Sequence, residues 1–409
     1  MKKFFALLLS LAMVLALVAC GQKETTTPDD TQTPDDTTPE VEYKIAMITD
    51  YGDITDQSFN QTTYEACKAF AEDNSIEFSY FKPAGDNTAD RVAMIEKAVN
   101  DGFNVIVMPG YAFGGAIVEA APEFPDVKFI ALDVAAGDLL ETAVAKAGEA
   151  YDYTPENWDL NKYVDMSNVY CAVYQEELCG YMAGYAAVKL GYKNLGFLGG
   201  MSVPAVVRYG YGFVQGVDAA AADLGLTDVK LNYIYGGQFC GDADITAVMD
   251  TWYQGGTEVV FACGGGIYTS AVDAAKKANA KVIGVDVDQA GVIAKYAGVD
   301  GMTVTSAMKG LYPATYDTLT DVIVNGNWDK YVGKIATLGL VSGTDPEANY
   351  VQIPMGDGTQ WSDSFTQDDY KAMVKDMFDG KITVSNDTTK APTDFATAIT
   401  VNAQGQIKG

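Results

Sequence analysis

One pattern occurs twice along the chain and restricts its architecture more than any other. Val105-Ile-Val-Met-Pro-Gly110 leads through an Ala-rich stretch to Lys128-Phe-Ile-Ala-Leu-Asp133-Val134; Val259-Val-Phe-Ala-Cys-Gly264 leads to Lys281-Val-Ile-Gly-Val-Asp286-Val287. Each copy reads as strand, glycine-containing turn, helix, strand, then Asp-Val. The strands are continuous apolar runs, which suits a sheet buried on both faces and not one half open to water. The same rhythm runs through 44–49, 76–81, 169–173, 194–198 and 229–235, with helical patterns such as 58–72 and 90–100 between them. The expectation is an α/β protein with two parallel sheets, each flanked by helices. Its lobes are expected at 41–165 with 287–320, and at 166–286 with 321–409. The stretch 135–167 breaks the rhythm and reads as an insertion near the first crossing between lobes. The tail from 331, with strand-like stretches and an amphipathic helix at 367–379, is expected to wrap onto the second lobe.

The repeat also points to chemistry. Asp133 and Asp286 each stand just past the carboxyl end of a strand, where doubly wound sheets bind ligands. The segment Thr49-Asp50-Tyr51-Gly52-Asp53-Ile54-Thr55-Asp56-Gln57-Ser58-Phe59-Asn60-Gln61 follows the first strand and opens the first helix. Asp56 or Ser58 can cap that helix, placing Phe59 and Asn60 in its first turn at the mouth of a cleft. The spacing of Asp50, Asp53 and Asp56 does not match an EF-hand loop, so no metal is expected.

Other features narrow the chemistry. The chain has no histidine, which removes the usual general base and metal ligand and every Ser–His or Cys–His nucleophile pair. Cys67, Cys171, Cys179, Cys240 and Cys263 form no CxxC pair and read as free thiols, since lobes of this size need no disulfide framework. A net charge of −28 at pH 7 repels nucleic acid and anionic headgroups, so neither is expected as a partner.

The first residues read as an export leader. Lys2 and Lys3 precede an apolar run from Phe4 to Ala19, too short for a bilayer span. Leu17-Val18-Ala19-Cys20 matches a lipobox, so 1–19 is expected to be removed and Cys20 to carry lipid. The segment 20–40, where Thr-Pro-Asp-Asp-Thr occurs at 27–31 and again at 33–37, has nothing to bury and reads as a disordered leash. Such a leash reaches roughly 25 Å. More than one acyl chain would hold the protein firmly on the extracytoplasmic face of the membrane.

The segment 49–61 resembles the signature of basic membrane protein (BMP, PnrA-like) lipoproteins, the nucleoside-binding components of ABC importers. Further similarity follows in order: Glu176-Glu-Leu-Cys-Gly-Tyr-Met-Ala-Gly184, Gly199-Gly-Met-Ser-Val-Pro204 with Gly212, Phe213 and Gly216, Gly264-Gly-Gly266, Val282-Ile-Gly-Val-Asp-Val-Asp-Gln289 and Thr305-Ser-Ala-Met-Lys309. The resemblance implies a type I periplasmic binding protein: two Rossmann-like lobes joined by a hinge, closing on a ligand. It implies that Phe59 and Phe239 sandwich a purine, that Asn60 and Asp133 bind base edges, and that Asp286 and Lys309 hold ribose hydroxyls. Gly264 and Gly265 would let backbone approach the ligand, and Asp50 joins the set from the signature segment. Three positions depart from the family pattern: Thr55 replaces the first Asp of an Ile-Asp-Asp triplet, the loop after Phe239 lacks the usual Pro and Lys, and Gly266-Ile267 replaces Thr-Gly.

The expected partners are a small neutral ligand, a purine nucleoside first, and ABC permease subunits; the chain is expected to be monomeric and to need no cofactor. Structural readings stand beside the functional ones: the two rings as core, the aspartates as helix caps, Lys309 on a solvated helix. Gly180 and Gly184 read as helix-packing positions, and Arg208 and Tyr209 as structural or interlobe residues. Alternative functions are a binding protein for a sugar or flavin-like ring, a nucleoside hydrolase, and a sensor.

Overall fold

The computed structural model describes residues 42–408; the expected leader, Cys20 and the leash lie outside the described residues. Tyr43–Gly409 is one compact unit. The described residues form thirteen strands: β1 Lys44–Ile48, β2 Glu77–Phe81, β3 Val105–Pro109, β4 Lys128–Leu132, β5 Val169–Tyr174, β6 Asn194–Gly199, β7 Lys230–Tyr235, β8 Val259–Cys263, β9 Lys281–Asp286, β10 Thr303–Lys309, β11 Lys334–Leu338, β12 Val351–Gln352 and β13 Thr400–Gln406.

They form two sheets, ordered β11-β5-β4-β3-β1-β2 and β12-β10-β9-β8-β6-β7-β13. Every pairing is parallel except β10 with β12. The first five strands of each sheet follow the same order, so the repeated sequence pattern corresponds to β3–β4 in one sheet and β8–β9 in the other. Alternation within the apolar runs feeds the two faces separately. Ala46, Ile48, Ile106 and Met108 join one core, while Ile45, Met47, Val105 and Val107 join another. The second sheet divides likewise: Phe197 and Phe261 face one side, Leu198, Val260 and Ala262 the other. A period of two in a doubly buried sheet requires this split.

The chain crosses between sheets after β5, after β10 and after β11. The crossings are knitted together: Gln175 N donates to Leu338 O at 3.0 Å, Tyr350 N to Gly339 O at 3.0 Å and Gly310 N to Tyr350 O at 2.7 Å.

Sheet membership differs from the expected lobe limits. β5 and β11, expected in the second lobe, pair in the first sheet; β10, expected in the first lobe, pairs with β9 in the second. An apolar run marks a buried strand but does not name the sheet it joins. The stretch 135–167 is also not wholly irregular. Ala136–Lys146 is a helix that buries Leu139, Leu140, Ala143 and Val144, and Asp138 accepts from Ala135 N at 2.7 Å to start it.

In the second lobe, helices Glu176–Lys189 and Pro204–Asp223 pack backbone against backbone. A Cβ on Gly180 or Gly184 would lie 2.3 Å from Tyr209 O or 2.4 Å from Phe213 O. The tail contributes helix Gln367–Phe378, whose Tyr370, Met373, Val374 and Met377 are buried in the second-lobe core. Among the described residues no helix is long and apolar enough to cross a membrane.

Candidate functional site

The carboxyl ends of both sheets face one cavity of about 400 Å³, within the range of about 300–1,000 Å³ usual for small-molecule sites. Asp50, Phe59, Asn60, Asp133, Phe239, Gly264, Gly265, Asp286 and Lys309 all line it. The structure therefore brings together every ligand-site residue named from the sequence.

The first wall grows from the loop after β1. Ser58 starts helix Phe59–Asn74 without a side-chain cap. Asp56 serves the helix start instead, accepting from Ser58 N and Asn60 N at 2.9 Å each and from Gln61 N at 3.1 Å. Asp50 accepts from Tyr51 N and Gly52 N, both at 2.6 Å. The Asn60 amide nitrogen bridges these two acids, 3.2 Å from Asp50 and 3.0 Å from Asp56. Its carbonyl oxygen Oδ1 is buried with no partner. Burial pushes both carboxyls upward, against the N–H groups that hold them. Asp53 is turned to solvent and pairs with Lys82 at 3.0 Å, and no cluster of acids suited to a metal occurs among the described residues.

The floor is a charge cluster. Asp133 and Asp286 both adopt left-handed backbone, with φ of 59° and 64°, a conformation uncommon for residues other than Gly, Asn and Asp. Lys309, at the end of β10 and buried, donates to Asp133 Oδ2. Its ammonium also lies 3.5 Å from Glu176 and 3.8 Å from Asp286, and 4.7 Å from the centre of the Phe59 ring, close enough for a cation–π contact. Asp286 accepts from Ser58 Oγ at 2.5 Å and from Tyr209 OH at 3.2 Å. Asp133 Oδ1 is buried without a partner. Burial opposes the Lys309 charge, but Asp133, Asp286 and Glu176 outweigh it and hold the ammonium protonated. Burial pushes Asp133 up to about 7, against the pull of Lys309.

The second wall centres on Phe239. Its ring lies on bare backbone: a Cβ on Gly200 would sit 2.3 Å from it, and one on Gly264 2.7 Å. Gly264 has φ of 137° and Gly265 of 48°. The glycine turn thus seats the ring as well as lining the cavity.

Several lining residues were not singled out as ligand contacts from the sequence. Tyr51 and Tyr111 line the cavity, and both hydroxyls reach Met201 Sδ of the other lobe, at 3.8 and 3.7 Å. Tyr209 lines the cavity, and its hydroxyl donates to Asp286 of the same lobe at 3.2 Å. Its signal was present, an aromatic residue beside Arg208 in the second-lobe Gly-rich helix, but helical periodicity alone reads it as core.

The family model for Bmp, described as ABC transporter substrate-binding protein PnrA-like, matches residues 43–345. The chain is 25% identical over 359 residues to the ABC transporter nucleoside-binding protein BmpA of Lactococcus lactis, covering 84% of this chain and 90% of that one. It is 26% identical over 322 residues to basic membrane protein B of Borreliella burgdorferi, covering 76% and 83%, and 26% identical over 311 residues to an uncharacterized lipoprotein of Pyrococcus abyssi, covering 73% and 67%. Among solved structures, an ABC transporter solute-binding protein from Aeropyrum pernix aligns with a TM-score of 0.60 at 20% identity, covering 86% of this chain and 90% of that one; that likeness shows the two-lobe binding-protein fold. The chain belongs to the Bmp family of PnrA-like ABC transporter substrate-binding proteins.

Proposed function

We propose that this protein captures a purine nucleoside between its lobes and delivers it to an ABC permease, working as a monomer tethered through lipid on Cys20 at the extracytoplasmic face of the membrane. The observation that carries the reading is the cavity's composition. Phe59 and Phe239 offer ring faces to a flat base, and the cluster of Asp133, Lys309 and Asp286 offers charged partners to neighbouring hydroxyls. Stacked aromatic pairs contribute about 0.5–1.5 kcal/mol beyond area burial, and hydrogen bonds to charged groups about 1.5–3 kcal/mol each. Asn60 Oδ1 and Asp133 Oδ1, buried without partners, call for N–H or O–H donors, which a nucleoside supplies at both its base and its sugar. The nucleoside-binding relative from Lactococcus lactis supports the same ligand class.

Binding is capture without chemistry. The chain has no histidine, and Asp133, Asp286 and Glu176 hold Lys309 as an ammonium, so it offers no free base. Closure excludes water and strengthens each polar contact.

A thermal-shift screen of Tyr43–Gly409 against nucleosides, free bases, sugars and flavins tests the reading. Ligand at a hundredfold its dissociation constant stabilises the bound state by about 2.7 kcal/mol. Purine nucleosides are expected to raise the melting temperature; a rise with sugars or flavins and none with nucleosides rejects the assignment.

A further inference from the structure

Glu176 is fully buried, at 0% exposure, and does not line the cavity. It begins helix Glu176–Lys189, one residue past the crossing at Gln175. An isolated carboxylate is costly in such a place and persists only when it is paired and hydrogen-bonded. Both oxygens are engaged: Oε2 accepts from Arg208 Nε at 2.7 Å, and Oε1 lies 3.5 Å from Lys309 Nζ. The Arg208 side chain is itself only 15% exposed.

Lobe membership gives this arrangement a consequence. Lys309 ends β10, and Glu176 and Arg208 sit on helices packed against the same sheet's core. Asp133, the other close partner of Lys309, follows β4 of the opposite sheet. When the lobes part, Asp133 moves away from Lys309, whereas Glu176 stays at the nearer distance, 3.5 Å, and Asp286 of the same sheet stays at 3.8 Å. Without Glu176 the long lysine stem would be freer to leave the cavity for water, and each closure would have to order it again. Arg208 serves the pair by fixing Glu176 and balancing its charge, so that Glu176 is not drawn wholly to Lys309.

We propose that Glu176, braced by Arg208, is a positioning residue that holds the Lys309 ammonium in the cavity in both the open and the closed protein. The choice of probe below rests on the nucleoside reading; the positioning role does not.

The test uses the full chain carrying Glu176→Gln, with Glu176→Asp and Arg208→Gln alongside, and a purine ribonucleoside and its 2′,3′-dideoxy analogue as probes. Because Lys309 is assigned to the sugar hydroxyls, Glu176→Gln should weaken the ribonucleoside roughly tenfold and the dideoxy analogue far less, narrowing the ratio between them. Arg208→Gln should move the ratio the same way, and Glu176→Asp, which keeps the charge, should restore part of it. A merely structural role would weaken both probes alike. Equal losses, or none, overturn the proposal.

A second measurement needs no ligand: the side-chain ammonium resonance of Lys309 in ¹⁵N-labelled protein. It should be visible in the wild type and in Glu176→Asp and exchange-broadened in Glu176→Gln or Arg208→Gln. An unchanged resonance overturns the proposal. A wild type that ignores both probes rejects the nucleoside reading instead, and the resonance then decides the positioning role alone. If Glu176→Gln does not fold, Arg208→Gln and Glu176→Asp carry the same comparison.

Discussion

Asp133 and Asp286 stand at equivalent places in the two sheets, each at the carboxyl end of the fourth strand and each with left-handed backbone, and Lys309 reaches both. The lobes therefore meet through a carboxylate–ammonium–carboxylate bridge at the floor of the cavity. A ligand with hydroxyls can share that bridge, and separating the lobes must break half of it.

The rings set a first prediction. Phe239→Ala removes one stacking face and should cost about 1–3 kcal/mol of nucleoside binding. Because Phe239 is only half-buried, unfolding of the unliganded protein should change little. Isothermal titration and thermal unfolding of the same variant separate the two effects.

The seat beneath that ring gives a second. Gly264→Ala places a methyl about 2.7 Å from Phe239 at a φ of 137°, where a side chain is strained by roughly 1–3 kcal/mol. The ring must shift, so nucleoside affinity should fall although residue 264 offers no side-chain group to the ligand. Titration checks this, with Gly225→Ala, at an open helix end, as a control expected to keep full affinity.

Charge sets a third. Asp50, Asp56, Asp133 and Asp286 line the cavity with Lys309, whose ammonium is already committed to carboxylates. A nucleoside 5′-monophosphate would add buried negative charge with no free cation to meet it, and should bind at least about a hundredfold more weakly than its nucleoside. Competition between the two at equal concentration measures the difference.

Proton linkage gives a fourth. Burial is the leading cause that raises Asp133, Asp138 and Glu177, each to about 7. From about pH 4 to 7 the folded chain therefore binds more protons at these sites than the unfolded chain. The stability they contribute is fully present below their unfolded values and is lost as pH rises through about 7. The melting temperature of the unliganded protein should accordingly carry a component that falls between about pH 4 and 7. Asp138→Asn, whose side-chain oxygen can still cap Ala135 N, should flatten it.

The sequence made the architecture legible because its strands are buried on both faces. Continuous apolar runs at 105–109 and 259–263, each followed by glycine, leave few alternatives to twin parallel sheets. The exchange of strands at the hinge was not legible, since nothing in the apolar run of β5 names its sheet, and β10 and β11 mix polar with apolar residues and carry no clear strand signal. Helix Ala136–Lys146 was missed because the Tyr-, Asn- and Pro-rich stretch after it hid its short apolar face. At the site, Phe59, Asn60, Asp133 and Asp286 stood out because a turn or a strand end presents them. Tyr51 and Tyr111 did not, because their partner Met201 is 150 and 90 residues away. The Glu176–Arg208 support for Lys309 likewise depends on three elements converging, which no local spacing encodes.

The most direct measurement is isothermal titration of purine nucleosides into the wild type and into Asp286→Ala. One-to-one binding to the wild type, weakened by at least about tenfold in the variant, is the predicted result. Absence of binding to the wild type, or equal affinity in both, would contradict the account.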